Sequence, residues 1–117
     1  MSKKYYTSIK FNKDCMDIEG GYTGNNGRVI LYPCQNTVNQ KFRYKPKTKQ
    51  IISKSSKKCI DILSKRLIQN KCYTNKKSQK WKKRNKKWVS TTNNKTIKLR
   101  IPLKKEIDPK TKGDLVI

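Results

Sequence analysis

Apolar residues in this chain fall in short runs separated by clusters of turn-forming residues. Val29-Ile-Leu-Tyr-Pro-Cys34, Gln50-Ile-Ile-Ser53 and Leu67-Ile-Gln-Asn-Lys-Cys72 are examples, and Gly20-Gly21, Asn25-Asn-Gly27, Lys45-Pro-Lys47 and Asn93-Asn-Lys95 punctuate the sequence around them. Runs of about four to six residues rich in Ile, Val, Leu, Tyr and Thr between Gly, Pro and Asn are strand and turn signals. Helical periodicity is missing, apart from a weak candidate at residues 62–69. The pattern predicts an all-β chain.

The runs repeat. Cys15-Met-Asp17-Ile18 returns as Cys59-Ile-Asp61-Ile62, 44 residues later, and Gln40-Lys-Phe42 returns as Gln79-Lys-Trp81, 39 residues later. The segment Val29 to Cys34 is matched by Leu67 to Cys72, 38 residues later, so the turn before it is six residues shorter and loses the glycine-rich tip. A leading run also recurs: Gln50-Ile-Ile-Ser53 aligns with Lys87-Trp-Val-Ser90, and a third copy begins there with Thr96 where the others have cysteine. Units of about 40 residues cannot each bury an apolar face alone, so three of them must share one core. A single domain over residues 1–117 is expected, with repeats at about 5–44, 45–83 and 84–117.

Composition sharpens this picture. Apolar residues make up 32% of the chain and the mean hydropathy is -1.01, so the core must be small and well specified. The formal net charge is +24, and its distribution is uneven. Residues 1–40 carry five Lys/Arg against Asp14, Asp17 and Glu19, whereas residues 41–100 carry 22 against Asp61 alone. A field of that strength repels itself unless a polyanion neutralises it, so nucleic acid, an anionic glycan or an acidic membrane surface is an expected neighbour. The densest run is Lys76, Lys77, Lys80, Lys82, Lys83, Arg84, Lys86 and Lys87, which also has the composition of a nuclear localisation signal.

No segment approaches the roughly 18 apolar residues that span a bilayer, and MSKKYYTSIKFNKDC lacks the apolar run of a signal peptide. An intracellular protein is expected, cytoplasmic or nuclear or packaged in a virion. Cys15, Cys34, Cys59 and Cys72 leave three readings open: two disulfides, free thiols in a reducing compartment, or zinc. The absence of histidine and of a close Cys-x2-Cys pair weighs against zinc. No cofactor is implied, nothing points to a homo-oligomer, and the scarcity of acids and lack of histidine argue against an enzyme.

Cys-x-Asp-Ile, Leu-Tyr-Pro-Cys and Gln-x-Phe/Trp, occurring in that order, resemble the repeats of ricin-B-type β-trefoil lectins. The resemblance covers residues 15–81 well and residues 82–100 partially. It implies a β-trefoil of three pseudo-symmetric repeats, the third degenerate or shortened, with the aromatics of Gln-x-Phe/Trp in a barrel core. Gln40, Phe42, Gln79 and Trp81 are then structural, and Trp88, aligned with Ile51, belongs to the core as well. It also implies disulfides Cys15–Cys34 and Cys59–Cys72.

In such lectins a sugar is held by the Asp after the first cysteine, an aromatic before the second, and an Asn-Gln pair. The first repeat matches throughout: Asp17 would accept hydroxyls, Tyr32 would stack, Asn39 would donate and accept, Gln40 would orient Asp17, and Ile30 would form a wall. A carboxylate can take two vicinal hydroxyls while an aromatic face covers the apolar side of a pyranose. The second repeat has Asn70 for the aromatic and Ser78 for the asparagine; the third has Lys98 for the aspartate and no Gln-x-Trp in RIPLKKEIDPKTKGDLVI. The expectation is a lectin module with one galactose-type site and a basic, polyanion-binding second repeat. The alternative is a non-enzymatic RNA- or DNA-binding structural component of a ribosome-associated or virion assembly that reuses the scaffold.

Overall fold

The computed structural model describes residues 5–100 and 113–117. Eleven strands are present among them, in chain order β1 (Lys10–Phe11), β2 (Asp14–Ile18), β3 (Gly27–Pro33), β4 (Phe42–Lys45), β5 (Gln50–Ser53) and β6 (Cys59–Leu63), then β7 (Arg66–Asn70), β8 (Trp81–Arg84), β9 (Lys87–Ser90), β10 (Lys98–Arg100) and β11 (Gly113–Val116). The architecture is an all-β, three-lobed β-trefoil. Each lobe contributes one antiparallel pair, β2–β3, β6–β7 and β10–β11. The second strands of these pairs meet one another: Arg28 of β3 faces Ile68 of β7, Asp114 of β11 faces Ile30 of β3, and Val116 of β11 faces Arg66 of β7. Lobes so joined cannot be independent domains. Between lobes, β4 pairs with β5 and β8 with β9.

Residues 62–69, the weak helical candidate, form a hairpin. Asp61-Ile-Leu and Arg66-Leu-Ile are ladder partners, and Ser64 and Lys65 turn the chain with φ of 49° and 67°. Two consecutive residues of positive φ are what a two-residue hairpin requires to match strand twist. Asn85 and Lys86 do the same between β8 and β9, at 51° and 66°. In the first lobe the tip is longer, and its Gly20 and Gly21 both take positive φ, 65° and 66°, which explains the Gly-Gly pair.

Period-two alternation sends one face of each hairpin inward. Met16, Ile18, Val29 and Leu31 lie in the core with Phe42, Ile51, Ile60, Leu67, Trp81, Ile97, Leu115 and Ile117. Phe42 and Trp81 occupy corresponding places, and the Trp81 indole donates to the Ile60 carbonyl at 3.0 Å. Trp88 is only half-buried: it packs on this core and stacks at 4.9 Å against Tyr44. Where Leu31 stands in the first repeat, the second has Gln69, fully buried. Its amide donates to the carbonyls of Tyr22 at 2.7 Å and Gly24 at 2.9 Å, and its oxygen accepts from Ser56 at 2.8 Å. A polar side chain in the core is thus satisfied by the neighbouring lobe's tip. Cys15 is bonded to Cys34 and Cys59 to Cys72, which are the pairings the resemblance implied.

Candidate functional site

The opposite face of β2–β3 carries the predicted sugar-site residues. Asp17 lies directly across from Ile30, and Cys15 across from Tyr32, so all four side chains project to one side of the ladder. Ile30 is buried between Asp17 and, on its other flank, Asp114; Tyr32 is half-buried. A short 3-10 helix, Val38–Gln40, brings the remaining pair in from the chain after Cys34.

Gln40, fully buried, donates through Nε2 to Asp17 Oδ2 at 2.7 Å and to the Pro33 carbonyl at 3.1 Å, while its Oε1 accepts the Gln35 N–H at 2.7 Å. Every polar atom of this side chain is committed to holding Asp17 and the β3 exit. Asn39 donates to Asp17 Oδ1 at 2.7 Å and to the Ile18 carbonyl at 3.3 Å. Among the described residues nothing donates to Asn39 Oδ1. Each Asp17 oxygen therefore accepts one N–H and keeps a lone pair, with an amide oxygen beside it. Burial pushes the Asp17 carboxyl above its ordinary range, although the hydrogen bonds from Gln40 and Asn39 pull the other way; the charge of Glu19 adds to the rise.

The second lobe keeps the scaffold and fills the site. Gln79 repeats the clamp, donating to Asp61 Oδ2 at 3.3 Å and to the Lys71 carbonyl at 2.8 Å and accepting from Tyr73 N–H at 3.0 Å. Asp61 faces Ile68 as Asp17 faces Ile30, and Asn70 sits across from Cys59 where Tyr32 sits across from Cys15. Lys76 reaches over and pairs with Asp61 Oδ2 at 2.7 Å, joined by Asn70 at 3.4 Å, while Ile62 N–H donates to Oδ1 at 2.7 Å. Burial pushes the Asp61 carboxyl up, but hydrogen bonds from Lys76, Ser78, Ile62 and Gln79 outweigh it and leave the group below the ordinary carboxylate range. The two carboxylates are thus shifted in opposite directions: burial dominates at Asp17, whereas at Asp61 the Lys76 ammonium, the Ser78 and Gln79 side chains and the Ile62 N–H together outweigh it.

The basic run 76–87 does not form one uniform surface. Lys76 is spent on Asp61. Lys80 is half-buried with its ammonium on the carbonyls of Thr48, at 2.7 Å, and Thr74, and Lys82 donates to Asn94 at 3.0 Å. Lys83 lies 5.6 Å from the centre of the Trp88 ring. Lys77, Arg84, Lys86 and Lys87 are exposed.

One group the sequence reading missed lies beside the first site. Arg28, two residues before Ile30 on the same face of β3, donates to Glu19 at 3.1 Å and to Asp114, bridging the tip of the first lobe to the last strand. The signal was available, because Arg28 is the one basic residue in 14–40. What was not available was its partner, 86 residues away. Among the described residues no group of three His, Cys, Asp or Glu could hold a metal ion, and no helix is long and apolar enough to cross a membrane. The third-repeat segment without Gln-x-Trp falls mostly at residues 101–112, outside the described residues.

The sequence model of the ricin-type β-trefoil lectin domain matches residues 5–102. The chain belongs to this family. Ricin-type domains are carbohydrate-binding modules without catalytic function, and the present lectin domain is one of them. A comparison with curated proteins finds no match. Among solved structures, a mutant C-terminal domain of an earthworm lectin in complex with 6'-sialyllactose superposes with a TM-score of 0.79 at 14% identity, over 97% of this chain and 87% of that one. The β-trefoil lectin of the Vibrio vulnificus hemolysin/cytolysin, with N-acetyl-D-lactosamine bound, gives 0.69 at 24% identity, over 97% and 82%. A designed threefold-symmetric protein, ThreeFoil, gives 0.74 at 17% identity, over 96% and 86%. At these identities the likeness is one of fold.

Proposed function

We propose that the first lobe binds a galactose-type sugar through Asp17, with Asn39 sharing its hydroxyls, Tyr32 covering the apolar face of the ring, Ile30 forming the wall and Gln40 holding the carboxylate. The observation that carries this reading is the contrast between two aspartates at matching positions of their repeats. Asp61 is paired with the Lys76 ammonium, whereas among the described residues Asp17 meets only the amides of Gln40 and Asn39. A hydrogen bond to an ionised carboxylate contributes about 1.5–3 kcal/mol, so one lost hydroxyl contact weakens binding roughly tenfold or more. The test is retention on a galactose or lactose matrix. Wild type and Asp61→Asn should be retained and Asp17→Ala should elute in the void; a wild-type protein that ignores every neutral sugar on an array overturns the proposal.

A second reading is that the basic surface binds a polyanion, RNA in a large assembly included. Exposed Lys77, Arg84, Lys86 and Lys87 around the β8–β9 hairpin favour it. Affinity for a single-stranded RNA should then fall with salt by about 0.7 log units per log unit for each phosphate neutralised. A flat salt dependence rejects it.

A further inference from the structure

Away from Asp17, the third lobe meets the start of the chain around a cavity of about 1020 Å³. Its floor is apolar: Phe11 and Trp88 are half-buried there, and Ile97 and Ile117 are buried. Its rim is cationic. Lys10 comes from β1 and Lys65 from the β6–β7 turn. Lys83, Lys86 and Lys87 come from the β8–β9 hairpin, and Lys95 and Lys98 from the third lobe. All of these lysines are exposed, and no acid is found among the described lining residues. Residues far apart in sequence converge here, because the Ile117 N–H donates to the Lys65 carbonyl at 2.9 Å and ties the end of the chain to that turn.

We propose that this cavity is a second carbohydrate site, for an acidic oligosaccharide bearing sulfate or uronate groups. The proposal deepens the polyanion reading by giving it a place and a ligand class, and it is independent of the Asp17 site. Three features select the ligand. Seven ammonium groups, with no acid among the described lining residues, form a focusing field for anions, and walls of low dielectric strengthen it. Lysine is a point charge on a flexible stem that can follow sulfates at varied spacing, whereas planar, bidentate recognition would favour arginine, which is not found among the described lining residues. The floor offers aromatic and aliphatic surface to the C–H faces of pyranose rings, and about 1020 Å³ accommodates a few sugar units. Single-stranded RNA is the competing anion and is one arm of the titration.

The experiment is a titration of the full chain with a sulfated hexasaccharide prepared from heparin, read by tryptophan fluorescence. Trp81 is sealed in the core while Trp88 lines the cavity, so Trp88→Phe removes the signal and leaves affinity measurable by calorimetry. Wild type should bind, and the triple variant Lys10→Ala, Lys65→Ala, Lys95→Ala should lose at least roughly tenfold in affinity and about three units of salt slope, one for each cation removed. Lys47→Ala with Lys54→Ala, both exposed and outside the cavity, should change neither, and Lys77→Ala with Arg84→Ala tests the surface reading separately. The cavity proposal is overturned if wild type ignores the hexasaccharide, or if single-stranded poly(U) RNA binds more tightly and loses affinity in the same triple variant. It is also overturned if the Lys77/Arg84 pair carries the binding instead, an outcome that leaves the surface polyanion reading standing. Loss of salt-dependent RNA and hexasaccharide binding in neither the triple variant nor the Lys77/Arg84 pair rejects both. Retention on galactose through Asp17 should be untouched by the triple variant, and its circular dichroism should report an intact fold.

Discussion

Replacing Lys76 by methionine removes the cation paired with Asp61. In the wild type Asp61 is fully buried, and Lys76, with 42% of its side chain exposed, sits 2.7 Å from Oδ2. Removing one member of a fully buried pair costs about 3–5 kcal/mol. Two features reduce that here: the ammonium is partly solvated, which screens it, and Asp61 keeps N–H donors from Ile62, Gln79 and Asn70. We expect a loss of about 1–2 kcal/mol at neutral pH, measured by urea denaturation. The pH dependence follows from the direction of the Asp61 shift. Its folded-state pKa lies below that of the unfolded chain, so ionised Asp61 contributes stability that is fully present above the unfolded pKa, near 3.9, and is lost as pH falls through the lower folded value. The difference between wild type and Lys76→Met should therefore be largest at pH 6–7, as an order of magnitude about 1–2 kcal/mol, and shrink toward zero in the acid range where Asp61 is protonated. In an Asp61→Asn background the same substitution should cost under about 0.5 kcal/mol. A penalty that persists unchanged into acid, or in the Asp61→Asn background, refutes the assignment of Lys76 as the counter-ion.

Transplanting the first site onto the second, by Asn70→Tyr, Lys76→Thr and Ser78→Asn together, should add a second galactose-type site and raise the stoichiometry in calorimetry from one to two; an unchanged stoichiometry contradicts the proposed roles of Tyr32 and Asn39. Trp81→Phe copies the residue at Phe42 but leaves the Ile60 carbonyl without its 3.0 Å donor and a void in the core, for a loss of about 2–4 kcal/mol in chemical denaturation. Reduction of Cys15–Cys34 and Cys59–Cys72, which close loops of sequence separation 19 and 13, should cost about 3 kcal/mol each by chain entropy and lower the thermal midpoint accordingly. A midpoint that ignores reductant would show that the bonds do not constrain the unfolded chain.

The trefoil was legible because its signals are local. Cys-x-Asp-Ile and Gln-x-Phe/Trp each fit within four residues, and their repetition fixes which strand follows which. That Asp17, Asn39 and Gln40 come together was legible from the same motifs, since Asp17 belongs to Cys-x-Asp-Ile and Gln40, with Asn39 before it, to Gln-x-Phe. What escaped the sequence depends on contacts between lobes. Lys76 departs from the first repeat at a position that no motif marks, and only its reach to Asp61 shows why that site is filled. Gln69 reads as an anomaly at a Leu position until the carbonyls of Tyr22 and Gly24 are seen above it. The dense run 76–87 looked uniform, yet burial separates Lys80 and Lys82 from Arg84 and Lys86, and the cationic cavity draws Lys10 and Lys65 from elsewhere.

Strand β11 pairs with both β3 and β7, and Asp114 within it holds Arg28. On a ribosome this gives the chain a strict order of events. The first lobe can form its hairpin and pair with β7 early, but the stretch of β3 at Ile30 and Leu31 lacks its neighbour until residues 113–117 have been synthesised. The proposed sugar site would thus mature only after synthesis of that strand, leaving the nascent chain with an open edge that pairs with any strand it meets. Chaperone dependence of folding should accordingly fall when β11 is supplied early, as in a circular permutant that begins with it.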